Sequence, residues 1–141
     1  MRRILTLTLA AALLLPANQA QATWRHDRCR YQGLERKDWT DTEVRKTIRC
    51  AVDHWRVPGG RPKALDVARC ESGFEADALS STGSAGVYQF ISSTWASSVR
   101  RWREFRRRWD VGTGVFNGRN NVLLAIRLAH TKAGWGPWSC G

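Results

Sequence analysis

Apolar residues return at helical spacing in four stretches of the chain. In the first, Thr40-Asp41-Thr42-Glu43 reads as a helix start, and Val44, Ile48, Ala51, Val52 and Trp55 then share one face. That spacing predicts an amphipathic helix over about 42–56. Val57-Pro58-Gly59-Gly60 breaks the period, and Pro62 suits the first turn of a second helix. Its apolar face holds Ala64, Leu65, Ala68 and Cys70, and Gly73 stops it. In the third stretch Trp95, Val99, Trp102, Phe105 (or Arg106) and Trp109 fall at steps of 4, 3, 3 and 4 residues. This is one stripe on a helix that starts near Ser93 and runs, with room for a break, to about 109. The fourth contains Val122, Ala125, Ile126, Leu128 and Ala129, with Asn120 or Asn121 placed to cap it and Gly134 to end it.

The intervening segments are irregular. Thr23 to Lys37 is polar, mixed and without a period, which predicts an extended arm held by Cys29. Asp77 to Gln89 is rich in Ser, Thr and Gly, a turn-laden stretch with room for a small hairpin. Val111 to Gly118 is a Gly-rich loop, and Trp135-Gly136-Pro137-Trp138-Ser139-Cys140 is an aromatic tail. The expected fold is mainly α: a small helical domain over 41–141 with a short irregular or β insertion, preceded by an N-terminal arm over 23–40. With 141 residues, a single domain is expected.

The first segment changes the compartment. Met1-Arg2-Arg3 is a basic start, Ile4 to Leu15 an apolar run, Pro16 a break, and Ala20-Gln21-Ala22 a small-residue cleavage pattern. Together they predict a secretory signal peptide over 1–22, and the run is too short to span a bilayer, which takes ~20 residues. Cleavage leaves 119 of the 141 residues and no stable membrane span, and the expected location is secreted, extracellular or cell-wall associated.

Export changes the reading of the cysteines in turn. Outside the cytosol Cys29, Cys50, Cys70 and Cys140 are expected to form two disulfides rather than a metal site, and they include no C-x-x-C pair. Three pairings are possible. Cys29–Cys50 with Cys70–Cys140 is favoured, the first tying the arm to a helix and the second tying the end of the chain to the helix that carries Glu71. Loop closure gives each link ~3–4.5 kcal/mol.

Glu71 is the candidate for chemistry. It lies at the end of a predicted helix, next to Phe74, and both the negative end of the helix dipole and the apolar ring disfavour a charged carboxyl. A carboxylic acid kept protonated is what a general acid needs to protonate a glycosidic oxygen. On this reasoning alone, a solvated helix-end glutamate is the better reading.

The surrounding pattern reverses that. Cys70-Glu71-Ser72-Gly73-Phe74 is followed by Ala78-Leu79-Ser80, by Gly83-Ser84-Ala85-Gly86-Val87-Tyr88-Gln89-Phe90, and by Ser93-Thr94-Trp95. This resembles the lysozyme-like superfamily, specifically the soluble lytic transglycosylase domain, with its E-S-G-F, its S-x-x-G-A-x-G-L-x-Q and a Thr-containing helix start. The resemblance is close from Ala68 to Trp95 and loose as far as Asn121-Val122 and the tail. The Cys before the Glu, Gln89-Phe90, Thr94-Trp95 and Trp135–Cys140 also resemble actinobacterial secreted members and resuscitation-promoting factors. In those proteins a Cys beside the catalytic Glu pairs with one near the C-terminus.

The resemblance implies an α+β lysozyme-like fold whose insertion lines a cleft, and roles for the matched positions. Glu71 is then the catalytic acid and later the base, and Ser72 helps to orient it. Gly83 and Gly86 allow a tight backbone turn near the sugar chain, Gln89 lines the cleft, and Tyr88 and Trp95 offer faces for stacking sugars. Bland readings stand beside these: Ser72 as a helix-end cap, Trp95 as core on its apolar stripe, Tyr88 as core or contact alike. The substrate implied is the peptidoglycan glycan strand, cut between N-acetylmuramic acid and N-acetylglucosamine.

A two-carboxylate glycosidase needs a partner acid ~5 Å away, or ~6.5–9.5 Å for an inverting enzyme. Glu75 and Asp77 are near in sequence but match no catalytic position of the family, and Asp77 reads as a turn residue. Transglycosylases use one Glu and close a 1,6-anhydro ring, which is the expected product. The family's C-terminal Ala-Tyr-Asn-Ala-Gly segment is replaced by Gly134-Trp135-Gly136-Pro137-Trp138. Two alternatives stay open: a hydrolytic muramidase like the resuscitation factors, and a non-catalytic cationic wall-binding module.

Charge adds one more feature. The chain carries 23 Lys and Arg against 12 Asp and Glu, a formal +11, and six of the Arg lie in Arg100–Trp109. Basic residues interleaved with aromatics can signal nucleic-acid binding. Here the aromatics share one helical face and the Arg take the others, so a solvated basic face that meets an anionic cell envelope is expected, and no specific nucleic acid. His26, His54 and His130 show no ligand spacing, so neither a metal nor any other cofactor is expected.

Overall fold

The computed structural model describes residues 23–32 and 39–141. The expected leader over 1–22 and part of the arm lie outside the described residues. The arm opens as a small hairpin rather than an extended strand. β1 (Thr23–Arg25) and β2 (Arg30–Gln32) pair antiparallel, Trp24 opposite Tyr31, around a 3-10 turn at His26–Arg28. Strands of three residues are too short to leave an alternation in the sequence. Their rings meet at 4.6 Å, and Lys46 from the next element lies over the indole.

Four stretches of helical spacing become five helices: α1 (Asp41–His54), α2 (Gly60–Ser72), α3 (Ser92–Arg101), α4 (Arg103–Trp109) and α5 (Gly118–Ala129). The start of α1 is a capping box. The Thr40 hydroxyl accepts from the Glu43 amide, and the Glu43 carboxylate accepts from the Thr40 amide at 2.6 Å. The stripe of the third stretch is continuous, but the helix is not: Trp102 leaves helical geometry and separates α3 from α4. On α2 the buried face is Ala64, Val67 and Ala68, while Cys70, expected on that face, is exposed.

α5 is the centre of the molecule. α1 packs on it and α2 packs on α1. Val122 to Ile126 are buried in succession, as in a helix enclosed on all sides. Asn117 caps α5, accepting from the amide of Asn120 at 3.1 Å. Asn120 and Asn121, the expected caps, are buried inside the helix instead. A polar residue ahead of an apolar run looks like a cap in sequence, but these two face protein rather than solvent.

Of the three arrangements that four cysteines allow, the fold has Cys29–Cys50 and Cys70–Cys140. The first anchors the hairpin to α1. A second anchor is Arg119, buried near the start of α5, whose guanidinium donates to the carbonyls of Arg28, Cys29, Trp109 and Asp110 at 2.5–3.2 Å. Burial, with the like charge of Arg30 adding to it, pushes the guanidinium pKa down to about 10. It therefore stays cationic at neutral pH, and its charge is met by carbonyl dipoles. One side chain thus clamps the hairpin, the end of α4 and the start of α5. Replacing it strands four carbonyls, so Arg119→Met is expected to lower the unfolding free energy by ~2–4 kcal/mol in urea titration. A loss below ~0.5 kcal/mol would mean that water satisfies those carbonyls and that the clamp is not structural.

Candidate active site

Glu71 is the last residue but one of α2, which Gly73 closes in the left-handed region (φ 65°). The helix end puts its half-buried carboxyl against the C-terminal tail. Oε1 accepts from the amide of Cys140 at 3.2 Å and from the Ser139 hydroxyl at 3.4 Å. Among the described residues Oε2 has no hydrogen-bond partner. The Cys70–Cys140 disulfide lies next to the acid in the chain, and Lys63 reaches the Cys140 carbonyl at 3.3 Å. Ser72 makes no side-chain hydrogen bond to the acid. Its hydroxyl donates to Val87 O at 2.7 Å and so pins the helix end to the neighbouring loop.

That loop, 78–90, is the expected insertion, held by isolated bridges Leu79–Ala85 and Ala85–Phe90 instead of continuous strands. Gly83 turns at its exposed tip, with φ 86°. Gly86 has a tighter reason to be glycine. Its φ is 77°, and a Cβ there would stand 2.2 Å from Asn121 Nδ2 and 2.6 Å from the Val115 carbonyl. The space goes to Asn121, which is fully buried. Its Oδ1 accepts from Tyr88 N at 2.9 Å, and its Nδ2 donates to Ala85 O and Val115 O. Asn120 does the same for the next loop, accepting from Gly112 N at 3.0 Å and donating to Gly114 O.

Tyr88 is not a sugar-stacking face. Its ring is fully buried, stacked on Trp135 and edge-on to Trp138, and its hydroxyl donates to Ala64 O at 2.9 Å. Burial pushes its phenol well above the ordinary value. It is the platform for the tail: Trp138 Nε1 donates to Tyr88 O at 2.7 Å, and Trp135 Nε1 to Pro58 O at 2.8 Å. Trp95 is half-buried, edge-on to Phe90, with its indole N–H given to Thr113 O.

Gln89 lines a small hollow with Phe90, Ile91, Thr94, Pro137 and Trp138. Its amide nitrogen donates to Ala78 O and Gly86 O, and its carbonyl oxygen has no hydrogen-bond partner among the described residues. The wall formed by Pro137 and Trp138 runs directly into Ser139 and Cys140, the two residues that hold Glu71. Leu79 (66% exposed) and Ile91 (54%) are the exposed large apolar residues among those described, and both belong to this region. Glu75 and Asp77 are exposed, and neither hydrogen-bonds to Glu71. The residues that sequence reasoning missed are Asn121 and the two tail donors. A lone Asn among apolar neighbours on α5 was the available signal for the first. A main-chain N–H leaves none.

The fold also joins two histidines that sequence spacing keeps apart. Ligand atoms of His26, His54 and Cys50 lie within 4.8 Å of one another. Cys50 is committed to its disulfide, so no thiolate is available there. No helix among the described residues is long and apolar enough to cross a membrane.

Comparison with known proteins adds a family. The model of the transglycosylase SLT domain matches residues 60–131, from the start of α2 to just beyond α5. No curated protein and no solved structure matches the chain. Two substitutions separate scaffold from groove. Gly86→Ala forces Asn121 away and is expected to cost ~1–3 kcal/mol in thermal unfolding. Tyr88→Phe removes the buried hydroxyl's bond to the Ala64 carbonyl and is expected to cost ~1 kcal/mol without changing the KM for substrate. A raised KM in Tyr88→Phe would restore that residue to the binding surface.

Proposed function

The chain belongs to the transglycosylase SLT domain family and is a lytic transglycosylase acting on peptidoglycan, and from that premise we propose how it works. Glu71 is the single catalytic acid of an exported enzyme that cuts the β-1,4 bond between N-acetylmuramic acid and N-acetylglucosamine. The observation that carries this reading is the state of its carboxyl: the tail holds one oxygen, the other has no hydrogen-bond partner among the described residues, and the same tail supplies Pro137 and Trp138 to the hollow that Gln89 lines.

The steps follow from one carboxyl doing two jobs. Glu71 gives its proton to the glycosidic oxygen as the C1–O4 bond breaks. The muramic ring passes through an oxocarbenium-like state, which the substrate's own N-acetyl group helps to stabilise. The carboxylate then takes the proton of the 6-hydroxyl while O6 bonds to C1, closing the 1,6-anhydro ring and returning Glu71 to its acid form. The tail donors hold Oε1 in place through both steps, so that proton traffic falls to Oε2. Neither Glu75 nor Asp77 stands at a catalytic position of the family's pattern, which supports a one-carboxylate route over a two-carboxylate glycosidase. Gln89, through its free carbonyl oxygen, orients the sugar chain. Gly83 shapes the tip of the loop beside it.

Hydrolysis is the second reading, and one observation favours it. The donors at the acid are a Ser hydroxyl and a main-chain amide, where the family's tail would bring a tyrosine. Water in place of the 6-hydroxyl would then leave a reducing end. We further propose that the first 22 residues direct export and are removed, which puts the enzyme outside the membrane, at the wall.

Glu71→Gln keeps the side-chain volume and removes the proton donor. It is expected to slow clearing of purified cell walls by ~100-fold or more. Equal clearing by the variant and the native protein would leave only a wall-binding module. Mass spectrometry of the released sugars separates the two reactions, since anhydro ends mean transglycosylation and reducing ends mean hydrolysis. N-terminal sequencing of the secreted protein is expected to begin at Thr23.

A further inference from the structure

We propose that the face shared by the N-terminal hairpin and α4 is a docking site for a linear phosphodiester polymer of the cell wall, separate from the catalytic hollow. Two open hollows lie on this face. Arg25, Asp27, Arg28 and Arg30 line the first, which encloses about 230 Å³. Arg103, Arg106, Arg107 and Asp110 line most of the second, about 320 Å³. The salt bridge Arg30–Asp110, at 2.6 Å, takes one residue from each and joins them. Six arginines therefore face two aspartates across parts of the chain some 80 residues apart.

The juxtaposition is built into the fold. Arg119 donates to the carbonyls of Arg28 and Cys29 on the hairpin side and of Trp109 and Asp110 on the α4 side, so one buried side chain sets the spacing of the two hollows. Within them Arg28 and Arg103 make no salt bridge or side-chain hydrogen bond among the described residues. Their planar forks are free to bind a phosphate through two N–H groups.

The surroundings select among polyanions. Of the aromatics in this region, Trp102, Phe105 and Trp109 pack against the core, and Trp24 and Tyr31 of the hairpin pack on each other at 4.6 Å with Lys46 over the indole, so the described rings are engaged rather than offered as the stacking platforms that single-stranded nucleic acid uses. Among the described residues the exposed large apolar ones, Leu79 and Ile91, belong to the catalytic region, so the described part of this face has no apolar anchor for a lipid surface. What remains is a hydrophilic chain of phosphodiesters without bases or acyl tails, such as a polyol phosphate. Choosing a wall polymer rests on the proposed site of action, whereas the cationic face does not.

The test measures binding of the secreted protein to purified poly(glycerol phosphate) that carries no peptidoglycan, by calorimetry across a salt series. Binding is expected to weaken steeply with salt. Arg25→Gln with Arg28→Gln is expected to weaken it ~10-fold, and Arg103→Gln with Arg107→Gln by a similar factor. Arg56→Gln with Lys132→Gln removes the same charge near the far end of α5 and is expected to change binding less than ~2-fold. An equal loss in that control, or a loss from only one of the two hollow pairs, overturns the site. Duplex DNA or phosphatidylglycerol vesicles bound as tightly, with the same dependence on both pairs, overturn the choice of polymer. Both hollow variants are expected to cleave polymer-free peptidoglycan at the native rate, and a ~10-fold slower rate would assign the face to the glycan strand instead. Because cleavage and binding are read on separate substrates, failure of one leaves the other standing.

Discussion

The indole N–H of Trp138 bonds to the carbonyl of Tyr88, and the acid depends on it. That bond, with the ring of Tyr88 stacked on Trp135, folds the last residues of the chain back over the loop that follows α2. Together with the Cys70–Cys140 disulfide, it brings Ser139 and Cys140 within reach of Glu71. The order of cause runs from a buried phenol, through an aromatic tail, to a carboxyl. Tyr88 is held in its turn: its amide by Asn121, its hydroxyl by Ala64. A chain of buried polar contacts therefore connects α5, the loop, α2 and the tail, each satisfied so that none has to be solvated.

Small size explains why so much of the structure is clasped. A domain of this length buries a modest core, and its peripheral parts need ties. The hairpin has the Cys29–Cys50 link and the Arg119 clamp, and the tail has the Cys70–Cys140 link and its tryptophans. The same clamp that stabilises the hairpin also assembles the basic face, so stability and surface chemistry share a residue at that end of the molecule. At the other end the tail serves both as a lid on the core and as the setting of the acid.

The helices were legible where they are amphipathic. α1 shows its stripe, its capping box and its breaker in the sequence, and the stripe over Trp95–Trp109 is real although Trp102 divides the helix. α5 was legible only in part, because a helix enclosed on all sides has no polar face to set its phase. For that reason Asn120 and Asn121 read as caps when they in fact hold loop backbones at Gly112 and Tyr88. The position of Glu71 at a helix end was readable from Gly73. The direction of Tyr88 was not, since a segment of turns has no period from which to infer inside and outside. Arg119 and the pairing of His26 with His54 were invisible for a different reason. Their partners are carbonyls or residues far along the chain, and no local pattern records them.

One of the two donors at Glu71 is a peptide N–H, and this bears on how the site passes from one generation of sequences to another. An amide belongs to every residue except proline, so drift at that position cannot erase the donor. It can only shift the strand that carries it. The family match ends at residue 131, before the tail begins. What holds the donor in place there is the path of the backbone, which the Cys70–Cys140 disulfide and the tail tryptophans fix.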